Sequence, residues 1–285
     1  MASMRDIKRR KDSIQSTGQI TKAMKLVSTV KLQKAKGRAE NTKPYFDLMY
    51  ETVQSILAKS GHINHKYLKE SESDKKAVIV VTANRGLAGG YNSNITRMII
   101  DEGFTKENTV VYAVGKKGRE LLERKGYEIK ADYSEAINDP IYKDAKEICD
   151  DVLSAFADGE VGEIYLAYTV FKNTVVHEPQ LIRLLPVEAD DAAHETDGSE
   201  ALMTYEPSEE EALDMIIPKY VCSLVYGALI ESVASENGAR MQAMDSATSN
   251  AEEMISNLEL AYNRARQGAI TQELTEIISG AEALK

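Results

Sequence analysis

Two glycine-bearing segments are the first places where residue types could do chemistry. Asn84-Arg-Gly-Leu-Ala-Gly-Gly90 follows an apolar run and precedes a helical stretch, a setting in which main-chain N–H groups can cradle phosphate. Its glycines fall at Gly86, Gly89 and Gly90, which is not G-x-G-x-x-G, and no acidic ribose ligand follows at a persuasive distance. Gly115-Lys-Lys-Gly118 lacks both the spacing of a phosphate loop and its trailing Gly-Lys-Ser/Thr. A tight strand-to-helix turn explains these glycines. His62 and His65 could share a helix face, but no Cys or carboxylate cluster completes a metal shell, so surface histidines at a helix end are expected. His177 and His194 are isolated, and no Ser/His/Asp or Cys/His arrangement follows from spacing. The reading therefore names no catalytic, cofactor-binding or metal residue.

Cys149 and Cys222 lie far apart without metal-like spacing, which fits a reducing compartment and excludes a disulfide scaffold. They fall in separate predicted helices, which argues against thiol regulation. The opening MASMRDIKRR has no apolar segment behind it, and no uncharged stretch approaches the ~20 residues of a spanning helix. A soluble, cytoplasmic protein is expected.

The elements that must position these residues divide into helix, α/β middle and helix. Residues 3–59 are rich in Lys, Gln, Ala, Met and Leu, with Pro44 the only proline and Gly18 and Gly37 isolated, and predict one long helix with a bend near Pro44. Its apolar stripe, Ile7, Ile14, Ile20, Met24 and Val27, is incomplete and needs a partner. At the far end Ser208-Glu-Glu-Glu211 has the pattern of a capping box, and Pro218 is expected to kink or restart the helix it opens. Beyond it Met244, Ala247, Ala251, Met254, Leu258, Ala261 and Ala265 follow the 3-4 spacing of a coiled-coil seam. The seam slips, then resumes at Ile270, Leu274, Ile277 and Ala281. Between the helices, strand runs such as Ala77–Thr82 and Thr109–Val114 alternate with helical stretches, implying a mostly parallel sheet. The predicted organisation is a helix over 1–60, an α/β domain over 76–187, an acidic linker over 188–207 and a helix over 208–285.

Charge is lopsided across these parts. Residues 1–40 hold eleven basic and three acidic side chains, a net of about +8, which leaves the remaining chain near −18. Residues 187–217 carry eleven carboxylates and no Lys or Arg. The basic end is suited to an acidic surface. Nucleic acid is the weaker option, because no aromatic residue in the basic stretch could stack on bases.

Several segments resemble a known family. Met4-Arg-Asp-Ile-Lys-Arg-Arg10, Gln19-Ile-Thr-Lys-Ala-Met-Lys-Leu-Val-Ser28 and Ile270-Thr-Gln-Glu-Leu-Thr-Glu-Ile-Ile-Ser-Gly-Ala281 closely resemble the gamma subunit of F-type ATP synthases of the bacterial type. Arg85–Asn92, Ala239–Thr248 and Tyr262–Gln267 look like further family segments. The resemblance implies an antiparallel coiled coil of the terminal helices with a Rossmann-like α/β domain inserted. It implies a non-catalytic rotor shaft that couples ion flow through a membrane c-ring to the catalytic beta subunits. Alpha, beta and epsilon subunits would be its partners, with no cofactor, no nucleic acid and attachment to the cytoplasmic face of the membrane only through the complex. It places Met24 and Lys25 near an acidic loop of a beta subunit, and Arg266 and Gln267 at loops of the head. Arg240, Gln272, Glu273 and Glu276 would make rotor–stator contacts or helix–helix braces. The alternatives are a free coiled-coil scaffold or a nucleic-acid-binding module using the basic helix and, third, an α/β enzyme acting on a phosphorylated metabolite.

Overall fold

Ala77-Val-Ile-Val-Val81 has no polar side chain to turn toward water, and the strand it forms is buried on both faces. This is β1 (Lys76–Val81), the centre of a five-stranded sheet in a computed structural model that describes residues 4–59, 65–69, 73–187 and 208–283. The expected acidic linker, His62 and His194 lie outside the described residues. In chain order come α1 (Met4–Lys59), β1, α2 (Tyr91–Asp101), β2 (Thr109–Val114), α3 (Lys116–Glu123) and β3 (Glu128–Asp132). A 3-10 turn at Ala136–Asn138 then leads to α4 (Tyr142–Ala157), β4 (Glu163–Phe171), β5 (His177–Leu185) and α5 (Glu209–Ala283). Compactness divides the chain into two units, one formed by Met1–Ser28 with Met241–Lys285 and the other by Thr29–Arg240.

In the unit Thr29–Arg240 the strand order is β3-β2-β1-β4-β5. The first four strands are parallel, and β5 runs antiparallel to β4, from Phe171 opposite His177 to Ile164 opposite Leu185. Period-two alternation assigns each face its own core. Ala77, Ile79 and Val81 join Ile148 and Val152 of α4, Leu213, Val221 and Val225 of α5, and Val53 and Ile56 of α1. Val78 and Val80 face the other way, against Ile95 and Ile99 of α2 and Leu122 of α3. Full burial of an aliphatic side chain of this size contributes roughly 1.5–3 kcal/mol, so β1 anchors both layers.

Pro218 does not restart a separate helix: α5 runs through it. The lost main-chain hydrogen bond costs roughly 3 kcal/mol. Ile217 and Val221 are fully buried on either side of it, and Tyr220 is 7 % exposed, so their burial offsets that cost. Ser208 starts α5 as its spacing suggests, its Oγ accepting the Glu211 N–H at 3.2 Å. An 18-residue window of α5 is apolar enough to cross a membrane by length and composition, yet more than half of it is buried within the fold, as in a core helix.

Candidate interaction surfaces

The glycine segments come first, because they could have held a ligand. Gly115 has φ of 120°, and a Cβ there would fall 2.1 Å from the Thr82 carbonyl oxygen, so no other residue fits. The N-terminus of α3 is occupied by the chain itself. Lys116 N–H donates to Asn84 Oδ1 at 3.0 Å, Lys117 N–H to the Ala83 carbonyl at 3.0 Å and Gly118 N–H to Thr82 Oγ1 at 2.9 Å. Thr82 Oγ1 in turn donates to the Gly115 carbonyl at 3.2 Å. Donors that would cradle a phosphate are engaged by the Thr82 and Asn84 side chains and the Ala83 carbonyl just after β1.

The crevice where an open parallel sheet binds ligands lies at the carboxyl ends of the strands where the winding reverses, here β1 and β4. Residues 232–240 of α5 lie across it. Tyr91 Oη donates to the Ser232 carbonyl at 3.2 Å, and Ser235 Oγ donates to the Thr169 carbonyl at 3.0 Å. Ser232 and Ser235 are fully buried, and their small side chains let α5 approach closely. Arg240, 9 % exposed, holds Glu236 at 2.6 Å and reaches the carbonyls of Arg85 and Gly86 at 3.4 Å. Burial pushes the Tyr91 phenol far above its ordinary range, with the Glu236 carboxylate adding to it. Arg240 therefore braces loop 84–90 to α5. In that loop Leu87 stands at φ 61° and is 64 % exposed.

Two histidines differ from expectation. His65 is buried rather than exposed, because its ring is satisfied on both sides: Nδ1 accepts the Tyr67 N–H at 3.3 Å, and Nε2 faces the Asp214 carboxylate at 3.3 Å. Lys66 shares that carboxylate at 2.8 Å and holds Asp214 below its ordinary pKa. His177 packs against Phe171 and beneath Gly238, where a Cβ would come within 2.6 Å of its ring. Among the described residues no group of three His, Cys, Asp or Glu could hold a metal ion.

In the unit formed by the chain ends, α1 and α5 pair antiparallel. Lys11 bonds Glu259 at 2.7 Å, Gly18 faces Ala251, Thr21 Oγ1 meets Thr248 Oγ1 at 2.8 Å, and Lys25 bonds Asp245 at 2.5 Å. Each step forward on α1 is matched by a step back on α5. The seam departs from the apolar stripe read from the sequence. Ile20 and Val27 are each 58 % exposed, while Gly18, Thr21 and Ser28 turn inward. On α5 the positions Met244, Ala251, Leu258 and Ala265 hold, but Thr248, Ile255 and Tyr262 share the seam in place of Met254 and Ala261. Small side chains bring the backbones close, so shape rather than hydrophobicity selects the seam.

The predicted contact residues separate accordingly. Met24 is half-buried, and Lys25 is tied to Asp245. Arg240 is an internal brace. Continued in the same register, Met4 falls opposite residues near 265, so α5 runs past the described start of α1. Arg266, Gln267, Gln272, Glu273 and Glu276 all lie on that exposed extension, where Gln272 Nε2 donates to Glu276 Oε1 at 3.0 Å. Beside them Ile270, Leu274, Ile277 and Ile278 form a stripe at helical spacing, each about half or more exposed. The alanines of the α5 seam already implied a close approach, but the sequence reading missed the Thr82–Asn84 plug and the small residues on the α1 side of the seam. That side of the seam had a signal, the three- and seven-residue spacing of Gly18, Thr21 and Ser28.

Comparisons with known proteins agree with this architecture. A family model described as ATP synthase matches residues 3–284. An ATP synthase gamma chain from Lachnoclostridium phytofermentans is 68 % identical over 290 residues, covering 100 % of both chains. A gamma chain described as sodium ion specific, from Acetobacterium woodii, is 43 % identical over 99 % of each chain. Among solved structures, a central stalk and c-ring assembly of the Tetrahymena thermophila mitochondrial ATP synthase contains a chain with a TM-score of 0.62 and 25 % identity. That match covers 80 % of this chain and 99 % of the other. A chain of the Euglena gracilis mitochondrial enzyme, 18 % identical with a TM-score of 0.67 over 99 % of this chain and 94 % of its own, shares the fold. With its paired terminal helices, its self-filled α/β sheet, a family model matching residues 3–284 and a curated relative 68 % identical over its full length, the chain belongs to the gamma chain family of ATP synthases.

Proposed function

We propose that this chain is the non-catalytic rotor shaft of a membrane-attached ATP synthase, coupling ion flow through a c-ring to the conformations of catalytic beta subunits. The observation that carries the reading is the extension of α5, an apolar stripe and polar flank that no helix among the described residues opposes. Such a surface needs an enclosing partner, and a ring of alpha and beta subunits would supply one. A shaft can bias three equivalent sites only by touching them unequally. One bare helix beyond a paired segment presents unequal faces.

In this reading Arg266 and Gln267 offer forked and amide donors to loops of the head, with Gln272, Glu273 and Glu276 farther along. Met24 and Lys25 face an acidic loop of a beta subunit, which must compete with Asp245 for the lysine. Arg240 contributes through loop 84–90 rather than by direct contact. The epsilon subunit and the c-ring complete the partners, and attachment to the cytoplasmic face of the membrane is through the complex. A nucleic-acid role is disfavoured because Lys11, Lys25, Lys34 and Arg38 already pair with carboxylates of the chain.

The test is ATP-driven ion pumping in membrane vesicles carrying the complex, comparing wild type with Ile270→Asp/Ile277→Asp. Charges on the stripe are expected to lower pumping more than ATP hydrolysis. Equal pumping per ATP hydrolysed, or failure of the wild-type chain to co-purify with three copies each of two larger nucleotide-binding subunits, overturns the reading.

A further inference from the structure

The β4–β5 hairpin meets α5 at a joint whose polar groups are only partly satisfied. Among the described residues Thr169 Oγ1, Ser232 Oγ and both ring nitrogens of His177 are buried without a hydrogen-bond partner. Thr169 belongs to β4, His177 opens β5, and Ser232 lies on the stretch of α5 that crosses the strand ends. Thr169 is 2 % exposed and Ser232 is fully buried. Buried hydroxyl and imidazole groups ordinarily find partners, so a joint that leaves several unsatisfied gains by opening to water.

His177 sits where hairpin and helix touch. Its ring lies 5.9 Å from that of Phe171, its opposite number in the last pair of the β4–β5 ladder. It fills space that only glycine leaves, since a Cβ at Gly238 would fall 2.6 Å from the ring's Cε1 and 3.2 Å from Nε2. One turn back along α5, Ser235 Oγ donates to the Thr169 carbonyl at 3.0 Å. Beyond the ring, Asn173 Oδ1 accepts the Val175 and Val176 N–H groups at 2.9 and 2.8 Å, which holds the turn together as one piece.

Among the described residues no carboxylate pairs with the ring, so none is placed to receive a second ring proton. Lys172 and Glu178, on either side of the turn, bond each other at 2.5 Å. On α5, Glu236 is held by Arg240 at 2.6 Å. Glu231 acts instead on Tyr168, whose phenol burial and then that charge push up to about 12. Tyr168 packs on the face of β4 opposite Phe171. Arg183 of β5 reaches Glu163, and Arg97 of α2 is exposed. Burial accordingly holds the His177 imidazole below its ordinary pKa, with the Thr174 main chain countering in part.

We propose that the β4–β5 hairpin is a proton-operated latch on α5. The neutral His177 ring closes it beneath Gly238. Protonation turns both ring nitrogens into donors with no acceptor, and the hairpin tip lifts to carry the imidazolium into water. Lifting gives up the Ser235–Thr169 hydrogen bond and the packing of the ring, and it hydrates Thr169 Oγ1 and both ring nitrogens. α5 stays attached at the same sheet end through Tyr91 and, by Arg240, through loop 84–90. Acid thus releases one attachment of α5 without unfolding the sheet.

The experiment follows the histidine rings of the purified, isotope-labelled full-length chain by NMR from about pH 7.5 to about pH 5, with His177 identified by its loss in His177→Gln. At neutral pH a nuclear Overhauser contact between His177 Hε1 and Gly238 Hα is expected. It should vanish along the ring's own titration, with a midpoint below about 6.5, while the contact between Tyr91 and Ser232 persists. Below about pH 6.5 the ratio of open to closed chain should rise about tenfold per pH unit, the slope of a single proton. Gly238→Ala displaces the ring without weakening the helix, so it should lack the contact at every pH and titrate at the ordinary value. A ring that takes up its proton and keeps the Gly238 contact overturns the proposal, as does one that stays neutral to about pH 5. Loss of the Tyr91 contact on the same curve, or a Gly238→Ala ring that still titrates low, overturns it as well. Should Gly238→Ala alter the circular dichroism, the wild-type titration decides by itself.

Discussion

Gly18→Ala measures how closely α1 and α5 approach. Glycine inside a helix costs roughly 0.8–1 kcal/mol relative to alanine, a term that depends on the backbone alone. The added Cβ would meet the Ala251 Cβ at 3.4 Å, an ordinary contact that neither clashes nor leaves a void. The alanine variant is therefore expected to be more stable by about 0.5–1 kcal/mol, the full propensity term less a small packing adjustment. Gly37 supplies the control, since a Cβ there meets nothing within 4 Å and Gly37→Ala should show the propensity term alone. Gly18→Leu asks the opposite question. Its further carbons have no room between the paired backbones, and overpacking of this kind costs roughly 1–3 kcal/mol. The assay is urea unfolding of the full-length chain followed by helical circular dichroism, with the three variants side by side. A destabilised Gly18→Ala beside a stabilised Gly37→Ala would mean that the helices lie closer than 3.4 Å allows. A neutral Gly18→Leu would mean that they are not packed there at all, and the small-residue seam would be wrong.

Further outcomes test other parts of the fold. Gly115→Ala places a Cβ against the Thr82 carbonyl at a φ that alanine resists, and should cost about 3 kcal/mol or more in thermal unfolding. Arg240→Gln leaves the Glu236 carboxylate without its cation at a largely buried position, a loss of about 2–3 kcal/mol that adding Glu236→Gln should partly restore in a double-mutant cycle. Burial holds the His177 imidazole below its ordinary pKa, only partly offset by the Thr174 main chain. The unfolded chain then binds more protons below about pH 6.5, so stability falls as pH drops through that value and levels off below the folded pKa. His177→Gln should flatten that decline in denaturation midpoints measured between pH 7 and 5.

The long helices and the alternating middle were legible because their signals are long and periodic. β1 reads as a buried strand from composition alone, and Ser208 starts α5 where its spacing suggests. Pro218 marks no helix boundary, because the local breaker is set against burial of Ile217 and Val221 that only the folded sheet supplies. The coiled-coil seam was half legible. Hydrophobic spacing picked Met244, Ala251 and Leu258, but it could not weigh Thr248 and Gly18, whose contribution is to be small. Arg240 shows the same limit from another side. Its partners include the carbonyls of Arg85 and Gly86, contacts set by which helix covers which strand end, and no local pattern carries that information.

The helix lying across the strand ends competes with any small molecule for that crevice. A segment of the same chain is present there at an effective concentration of at least about millimolar, however dilute the protein. A free metabolite making equally good contacts would have to exceed that concentration to gain entry, and would need to break the Tyr91, Ser235 and Arg240 hydrogen bonds as it did so. The fold thus keeps the scaffold of a ligand-binding sheet while insulating it from the metabolic state around it, so that only a force acting on α5 itself, and not the level of any solute, is positioned to disturb that joint.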